Sequence, residues 1–161
     1  MPLPLDTGQA PGLRAPVPAD YDTIALWLPD ADTTLRWAGP LVRWPFTGAT
    51  LPALLAAPNA TSRVLGPPDE PPLGFGQHWP REGGAVHLGR LLVAPGLRGR
   101  GFGRLLLERL IDDVRARHGA VPITLRVYRD NTPALALYTR LGFGPVEESG
   151  DTDVAFMRLD P

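Results

Sequence analysis

The pattern of apolar and polar residues is strongly periodic in the second half of the chain, where it predicts secondary structure directly. The clearest segment is residues 101–118, in which apolar side chains cover more than half of a helical circumference. Gly119 follows as a stop signal for that helix. The next segment, residues 123–128, alternates apolar and polar residues with a period of two, which is typical of a strand.

Shorter patterns predict the remaining elements. Strands are predicted over residues 13–17, 63–65, 73–79, 85–93, 143–146 and 154–159, and helices over residues 18–28, 32–37 and 50–57. The predicted helix ends are Thr50 as N-cap of the third helix, and Thr132 as N-cap, Pro133 in the first turn and Gly142 after the last turn of a final helix. Two antiparallel hairpins followed by a strand–helix–strand crossover predict a mixed α/β (α+β) layer structure.

Length and composition restrict the classes of function. At 161 residues and 43% hydrophobic content the chain has the size of one domain, predicted over residues 13–161 after a flexible lead-in over residues 1–12. The net charge of −1 gives no field that would attract nucleic acid or an anionic membrane. Without a signal segment or a long apolar run, the predicted location is cytoplasmic. The absence of cysteine excludes thiolate metal sites and an acyl-cysteine intermediate, and we predict no metal site.

A glycine-rich turn carries the most specific chemistry. Residues 98–103 have the sequence R-G-R-G-F-G and lie between an apolar strand and the long helix. The first amides of a helix have no partner within it and carry the positive end of its dipole, so they bind anions. Glycines let a diphosphate approach the backbone closely. The turn lacks the third glycine of a dinucleotide fingerprint, which argues against a nicotinamide-dinucleotide domain. The chain has no Walker lysine, which excludes P-loop nucleotide hydrolysis.

A second segment narrows the identity of the anion. Residues 131–143 have the sequence N-T-P-A-L-A-L-Y-T-R-L-G-F, while Arg98, Gly101 and Gly103 match the signature R/Q-x-x-G-x-G/A. Over residues 86–143 the chain resembles the acetyl-CoA-dependent N-acetyltransferases of the GNAT superfamily. The resemblance implies a central, mixed and mostly antiparallel sheet flanked by helices. It also implies that residues 91–93 and residues 123–128 lie on a splayed strand pair that forms the acetyl-CoA slot.

The resemblance implies a set of residues that bind acetyl-CoA as cosubstrate. They are Leu91, Leu92 and Val93 on the strand, Arg98, Gly99, Arg100, Gly101, Phe102, Gly103 and Arg104 at the turn, and Asn131 and Tyr138 in the second segment. The strand would bind the pantetheine amides in the manner of an added strand, and the turn would bind the diphosphate. Arg140 is a weaker candidate for the phosphate end, and Arg104 is equally interpreted as a solvated residue of the helix.

The resemblance also implies direct attack of a neutral amine on the thioester in a ternary complex, with Tyr138 protonating the departing thiolate. A backbone N–H near Val93 would stabilise the oxyanion. The strand before the turn has no carboxylate, so His87 is the candidate base, on the same face as Gly89, Leu91 and Val93 by strict alternation. Structural interpretations remain: a core aromatic for Tyr138, and a hydrogen-bonded strand histidine for His87.

The acceptor amine is not identified by the sequence. Asp32, Trp37, Trp44 and Phe46 are the candidate substrate residues, because acidic and aromatic groups can hold a cationic amine. The acceptor is either a small-molecule amine or a protein N-terminus, and a homodimer is possible. The alternative function is a non-catalytic acyl-CoA-binding or sensor module.

Overall fold

One mixed sheet organises the chain, and the computed structural model describes residues 10–147 and 153–161 of it. The strands are β1 (Leu13–Arg14), β2 (Thr61–Leu65), β3 (Gly74–Pro80), β4 (Val86–Val93), β5 (Ile123–Tyr128), β6 (Gly144–Val146) and β7 (Val154–Leu159). The helices are α1 (Pro18–Leu26), α2 (Ala31–Ala38), α3 (Leu51–Leu54), α4 (Phe102–His118) and α5 (Thr132–Arg140). Within the described residues the strand order is β1-β2-β3-β4-β5-β7-β6. Only the pair β4–β5 is parallel, which confirms the predicted mixed, mostly antiparallel sheet.

Helix α4 covers one face of the sheet, as its apolar periodicity predicts. Gly101 precedes it with a φ of 86°, and Gly119 ends it with a φ of 77°, both in the left-handed region where glycine is favoured. The core on this face consists of α4 side chains packed on β3, β4, β5 and β7. Its fully or nearly fully buried members include Leu88, Leu106, Leu107, Leu110, Val114, Ile123, Leu125 and Met157.

The opposite face carries α1, α2 and α3. Its core consists of aromatic and aliphatic side chains that pack on β2, β3 and the end of β4, namely Tyr21, Ile24, Trp27, Leu28, Val42, Leu51, Leu55, Val64, Phe75 and Leu92. Trp37 of α2 packs at the edge of this cluster. The sheet is therefore buried on both faces, and each functional segment is fixed by packing from at least one side.

Three predicted element ends differ from the structure. The final helix is capped by Asn131 rather than Thr132, because the Asn131 Oδ1 accepts the N–H of Ala134 at 3.3 Å. Helix α3 ends at Leu54, since the next amides tighten to a bond three residues back, from Ala56 to the Ala53 carbonyl, and Pro58 follows closely. Thr50 precedes it but makes no side-chain cap.

The first strand is shorter than predicted because the chain turns into α1. Asp20, which is buried, accepts the N–H of Val17 at 2.7 Å and pairs with Arg14 at 2.6 Å. These bonds hold the start of the helix directly after the strand. Upstream, the Pro11 carbonyl accepts from Arg109 and the Gly12 carbonyl from Gly66, so this end of the predicted lead-in is bonded to the domain. The rest of that lead-in, residues 1–9, lies outside the described residues.

The pair β4–β5 separates almost as soon as it forms, which confirms the predicted splayed strands. The ladder contains Val86 opposite Ile123 and His87 opposite Thr124, and it stops there. Strand β4 continues for six residues beyond this point to Val93. Strand β5 meanwhile stays paired with β7 along its whole length. A gap therefore opens between the carboxyl halves of β4 and β5.

A β-bulge interrupts β4 at Arg90. On β3 one residue separates Phe75 from Gln77, whereas on β4 two residues separate their partners Leu92 and Gly89. Arg90 has a φ of 55°. A residue other than glycine adopts this left-handed conformation at a cost of about 1–3 kcal/mol.

The bulge overturns the prediction that His87 shares a face with Leu91 and Val93. Alternation holds as far as Gly89, and the His87 ring lies 5.1 Å from that of Trp79. Beyond the bulge, Leu91 and Val93 pack against the core under α4. Strict alternation fails here because the additional residue shifts the pleat by one position.

None of the described helices combines the length and the hydropathy needed to span a bilayer.

We expect Leu110→Ala to lower the free energy of unfolding by about 2–5 kcal/mol, because it leaves a cavity at a fully buried position beneath the sheet. Urea denaturation measures the change. Leu26→Ala is the matched control, since Leu26 is 82% exposed, and it should change stability by less than about 0.5 kcal/mol. Equal effects of the two substitutions would contradict the assigned packing.

Candidate active site

Two cavities follow one another along β4, on either side of its bulge. The first is bounded by residues 87–90 of β4, and the second by residues 91–93. Arg36 and Trp37 of α2 belong to the lining of both, so α2 is the element at which the cavities meet. We call the second cavity the slot and the first the arginine cavity.

The slot is a cavity of about 850 Å³ beside the open end of β4. Its lining comes from α2, β4, the glycine-rich turn, α4 and α5. The residues are Asp30, Asp32, Thr33, Arg36, Trp37, Leu91, Leu92, Val93, Arg98, Gly99, Gly103, Leu106, Leu107, Asn131, Pro133, Ala134, Leu137 and Tyr138. The structure thus brings the two sequence motifs of residues 98–103 and 131–143 to one cavity.

The glycine-rich turn presents a run of free amides beside the slot. The first backbone bond of α4 runs from the Leu105 N–H to the Gly101 carbonyl. The amides of residues 99–104 have no hydrogen-bond partner among the described residues. Gly99 and Gly101 have φ values of 75° and 86°, and a Cβ at either would meet no atom within 4 Å. This arrangement suits an anion at a helix N-terminus.

Side chains of the turn differ in their positions. Arg98 lines the slot, whereas Phe102 is buried in the core under α4. Arg104 is exposed and pairs with Glu108 at 2.9 Å, on the solvated side of α4. Arg100 is exposed and, among the described lining residues, contributes to neither cavity, as is also true of Arg140.

Gly103 forms part of the slot wall. A Cβ at this position would lie 3.8 Å from Leu137 and 3.9 Å from Val93, which is ordinary contact distance. A larger side chain would enter the space between β4 and α5. The small residue therefore keeps the slot open between these two elements.

Asn131 and Tyr138 lie on the α5 side of the slot. Asn131 caps α5 through its Oδ1, so its side chain has a structural task as well as a position in the lining. Tyr138 is partly buried against Phe143, with ring centroids 6.1 Å apart. Desolvation raises the pKa of the Tyr138 phenol to about 12, so the phenol keeps its proton at neutral pH.

The arginine cavity has a volume of about 860 Å³ and lies on the α1–α3 face of the sheet. Its lining is aromatic and basic. The residues are Leu35, Arg36, Trp37, Ala38, Gly39, Pro40, Trp79, Arg81, His87, Leu88, Gly89, Arg90, Arg126, Val127, Tyr128 and Val154. No aspartate or glutamate occurs among these described lining residues.

His87 lies at the base of the arginine cavity and is almost completely buried. Its Nδ1 is 2.8 Å from the Thr124 Oγ1, and its ring stacks on Phe156 with a centroid distance of 6.2 Å. Burial first, and then the charges of Arg81 and Arg126, lower the pKa of His87 from 6.5 to about 4. The imidazole is therefore neutral at neutral pH and a weak proton acceptor there. The assignment of His87 as the base stays a prediction.

Arg36 connects α2 to the end of β5. Its guanidinium pairs with the Asp130 carboxylate through contacts of 2.5 and 3.2 Å and lies 4.3 Å from the centre of the Tyr128 ring. Trp37, the next residue, has a buried indole Nε1 without a hydrogen-bond partner among the described residues. These two residues form the boundary between the cavities.

The candidate substrate residues do not gather at one place. Asp32 lines the slot, and Trp37 lines both cavities. Trp44 donates its indole N–H to the Leu28 carbonyl at 3.2 Å, and Phe46 packs on the core of the α1–α3 face. Among the described lining residues of the two cavities, neither Trp44 nor Phe46 occurs.

Sequence reasoning missed Arg36, Arg81 and Arg90 as cavity residues. Arg90 enters the cavity only because of the bulge, for which the isolated Gly89 within the strand pattern was the available signal in the sequence. Arg36 shows its role only once α2 is placed beside Asp130, which is 94 residues away along the chain. Within the described residues, no group of three or more His, Cys, Asp or Glu side chains is arranged to hold a metal ion.

Comparison with known proteins concerns the family and the fold. A family model described as the Acetyltransferase (GNAT) family matches residues 31–143, which is more than half of the chain. The ribosomal protein bS18-alanine N-acetyltransferase of Salmonella typhimurium is 47% identical over 53 residues, or 33% of this chain and 35% of that protein. The mycothiol acetyltransferase of Rhodococcus opacus is 40% identical over 93 residues, or 53% of this chain and 28% of that protein.

The alignments span about a third or less of the length of these two curated relatives. Solved structures, by contrast, are similar to this chain over its whole fold. AAC(6')-Ib in complex with paromomycin and acetyl-CoA superposes with a TM-score of 0.74 at 19% identity, over 94% of this chain and 94% of that chain.

We expect the low pKa of His87 to appear as a loss of stability in acid. The unfolded histidine binds a proton below pH 6.5 and the folded one only below about pH 4, so the free energy of unfolding decreases as the pH falls through this window. The decrease is on the order of 3 kcal/mol, since each pH unit contributes about 1.4 kcal/mol.

Urea denaturation across this pH range measures the effect, with His87→Asn as the comparison. Asparagine retains a polar group for Thr124 but does not titrate. The difference between the two curves of unfolding free energy against pH therefore reports the titration of His87 without that of the carboxylates. Parallel curves for the native protein and the variant would show that His87 titrates normally.

Proposed function

The chain belongs to the GNAT family of acetyltransferases, and from this premise we propose that it transfers an acetyl group from acetyl-CoA to a primary amine by direct attack in a ternary complex. The observation that carries the proposal is the junction of the two cavities on β4. One cavity has the features of a donor site, and the other adjoins it at α2. Their shared boundary at Arg36 and Trp37 is where a donor and an acceptor would meet.

The residues of the slot fit coenzyme A. Free amides over residues 99–104 suit its diphosphate, and the unpaired edge of β4 at residues 91–93 suits the amides of the pantetheine arm. Asn131 lies on the opposite wall and supplies a further polar group. Acetyl-CoA supplies an acetyl group activated as a thioester. The side chains of Arg100, Arg104 and Arg140 are not needed for this proposal.

Tyr138 is proposed as the proton donor for the departing thiolate. Its phenol holds its proton at neutral pH because desolvation raises the pKa to about 12. A thiolate that is released into the same apolar slot is desolvated as well, which raises its own affinity for the proton. The two effects partly cancel, so proton transfer from the phenol is feasible in the slot although it would be uphill in water.

The acceptor amine has to be neutral when it attacks, and the arginine cavity favours that state. Positive charges close to an amine disfavour its protonated form. The cavity lining includes four arginines and, among its described residues, no carboxylate. Because more of the bound amine is then neutral, the reaction depends less on a general base. It is consistent with the low pKa of the candidate base His87, about 4, which makes the imidazole a weak proton acceptor.

Release of free thiol from acetyl-CoA in the presence of a panel of amines tests the proposed function. An acyl-CoA sensor would bind coenzyme A without releasing thiol, so binding and turnover are measured on the same preparation. Binding without amine-dependent thiol release would favour the sensor over the enzyme.

We expect Tyr138→Phe to lower kcat by about 10²-fold or more, because the donated proton is lost while the ring and its packing on Phe143 remain. Affinity for coenzyme A should stay within about twofold, since the substitution removes one hydroxyl. Tyr21→Phe is the matched control, because Tyr21 packs in the core of the α1–α3 face and is absent from the described lining of both cavities. Equal kcat values for both variants would contradict the assignment of Tyr138.

We expect Gly101→Ala to weaken coenzyme A binding by about tenfold, because its φ of 86° orients the free amides and strains any other residue. Gly83→Ala is the control: Gly83 also has a left-handed φ, 82°, and open space around it, but lies in the turn before β4. Isothermal titration with coenzyme A measures the difference. Equal affinities would mean that the turn does not hold the diphosphate.

A further inference from the structure

We propose that the arginine cavity selects an acceptor amine that also carries an anionic group, either a carboxylate or a phosphate. The inference rests on the proposed function, because it names the substrate class of the same site. It replaces the sequence-based expectation of an acidic pocket for a cationic amine. Arg90 and Arg81 are the residues that would bind the anionic group.

All charged side chains among the described lining residues of the cavity are arginines. Of the four arginines, Arg36 is paired with the Asp130 carboxylate. Arg81 and Arg90 have no carboxylate within salt-bridge distance among the described residues. Arg126 adds its charge to the same lining. A cavity with this lining attracts an anion and repels an amine with several positive charges.

Arg90 is held in place for such a contact. Its Nη1 donates to the Leu55 carbonyl and to the Gln77 Oε1, both at 2.8 Å. The Gln77 amide in turn donates to Leu55 and to Ser62, so the guanidinium is anchored in a buried network. Its Nε and Nη2 make no hydrogen bond to a described residue. These donors, on a half-buried arginine at the cavity wall, remain available to a ligand.

The backbone at Arg90 supports a functional interpretation over a purely structural one. The residue occupies the left-handed region at the bulge, where strain is stored, and it is this bulge that directs the side chain to the cavity. Bonding the Leu55 carbonyl alone would not require an arginine. A half-buried cation without a counterion is costly, and an anionic ligand removes that cost on binding.

Arg81 approaches the same space from the end of β3. Its guanidinium lies 5.7 Å from the centre of the Phe156 ring, next to His87 in the cavity lining. The lowered pKa of His87 is caused in part by Arg81, which shows that its field reaches the cavity base. Arginine binds carboxylate and phosphate groups through paired, planar hydrogen bonds, so the chemistry of both candidate anions fits.

The aromatic walls hold the organic part of the acceptor and provide a signal for binding. Trp37, Trp79 and Tyr128 line the cavity around the arginines. Because two of these are tryptophans, a ligand that enters the cavity changes the intrinsic fluorescence. Binding can therefore be measured without turnover.

The experiment compares matched amines on the full-length protein saturated with coenzyme A or acetyl-CoA. β-Alanine is compared with β-alaninamide, phosphoethanolamine with ethanolamine, and ethylenediamine serves as the dication. Tryptophan fluorescence gives the affinity and thiol release gives kcat/KM. Comparing the carboxylate pair with the phosphate pair shows which of the two anionic groups the cavity prefers.

The variants are Arg90→Gln and Arg81→Gln, with Arg115→Gln as a charge-matched control on the exposed side of α4. We expect at least one anionic amine to be preferred over its neutral partner by about tenfold or more in the native protein. Each cavity variant should reduce that preference by about tenfold. The control should behave as the native protein.

The outcomes separate this inference from the proposed function. Thiol release with a preference for neutral or dicationic amines would overturn the inference and leave the function intact. Failure of every amine to release thiol would count against the function, while an anion preference in fluorescence would still support the cavity assignment. If Arg90→Gln only destabilises the fold and Arg81→Gln leaves the preference unchanged, the arginines are structural and the inference is wrong.

Discussion

The early end of the parallel ladder between β4 and β5 is the constraint on which the rest of the molecule depends. A parallel pair normally continues along both strands, yet here it contains two residue pairs before the strands separate. Beyond His87, the backbone groups of β4 that do not point toward β3 then face a gap. Unpaired backbone groups in a sheet are costly when dry, so the gap has to be filled by water or by a ligand. Both cavities, and with them the proposed chemistry, exist because of this separation.

Packing on the two faces keeps the gap open. Helix α4 fixes β4 and β5 from below through a fully buried aliphatic core, and α1 and α3 hold β2 and β3 from above. Across the gap itself, Arg36 reaches from α2 to Asp130. This ion pair is 44% and 70% exposed on its two sides, so it contributes little to stability and serves to position α2 between the cavities.

The positive potential in the two cavities has different sources. On the slot side the positive potential comes from free backbone amides and the helix dipole, with Arg98 in the same lining, and these are the groups proposed to bind a diphosphate. On the other side it comes from guanidinium groups, of which Arg90 is held by a strained bulge, the Leu55 carbonyl and the Gln77 amide oxygen. A neutral His87 under these cations and a protonated Tyr138 in the slot are direct results of burial. The family membership supports acetyl-CoA as the donor, and the charges of the arginine cavity are the basis of the proposed acceptor class.

Local patterns in the sequence determined α4, the glycine-rich turn, α5 and most strands, because periodicity, capping residues and left-handed glycines act within a few positions of one another. They also determined the family, since both motifs are short and continuous. The tertiary structure decided the bulge at Arg90, the faces of Leu91 and Val93, and the grouping of Arg36, Arg81 and Arg90 around one cavity. It also placed Trp44 and Phe46 outside the lining of both cavities. The physical reason is that these features depend on partners far along the chain, such as Arg90 with Leu55 and Arg36 with Asp130, and a contact across 35 or 94 residues leaves no periodic signal in the sequence.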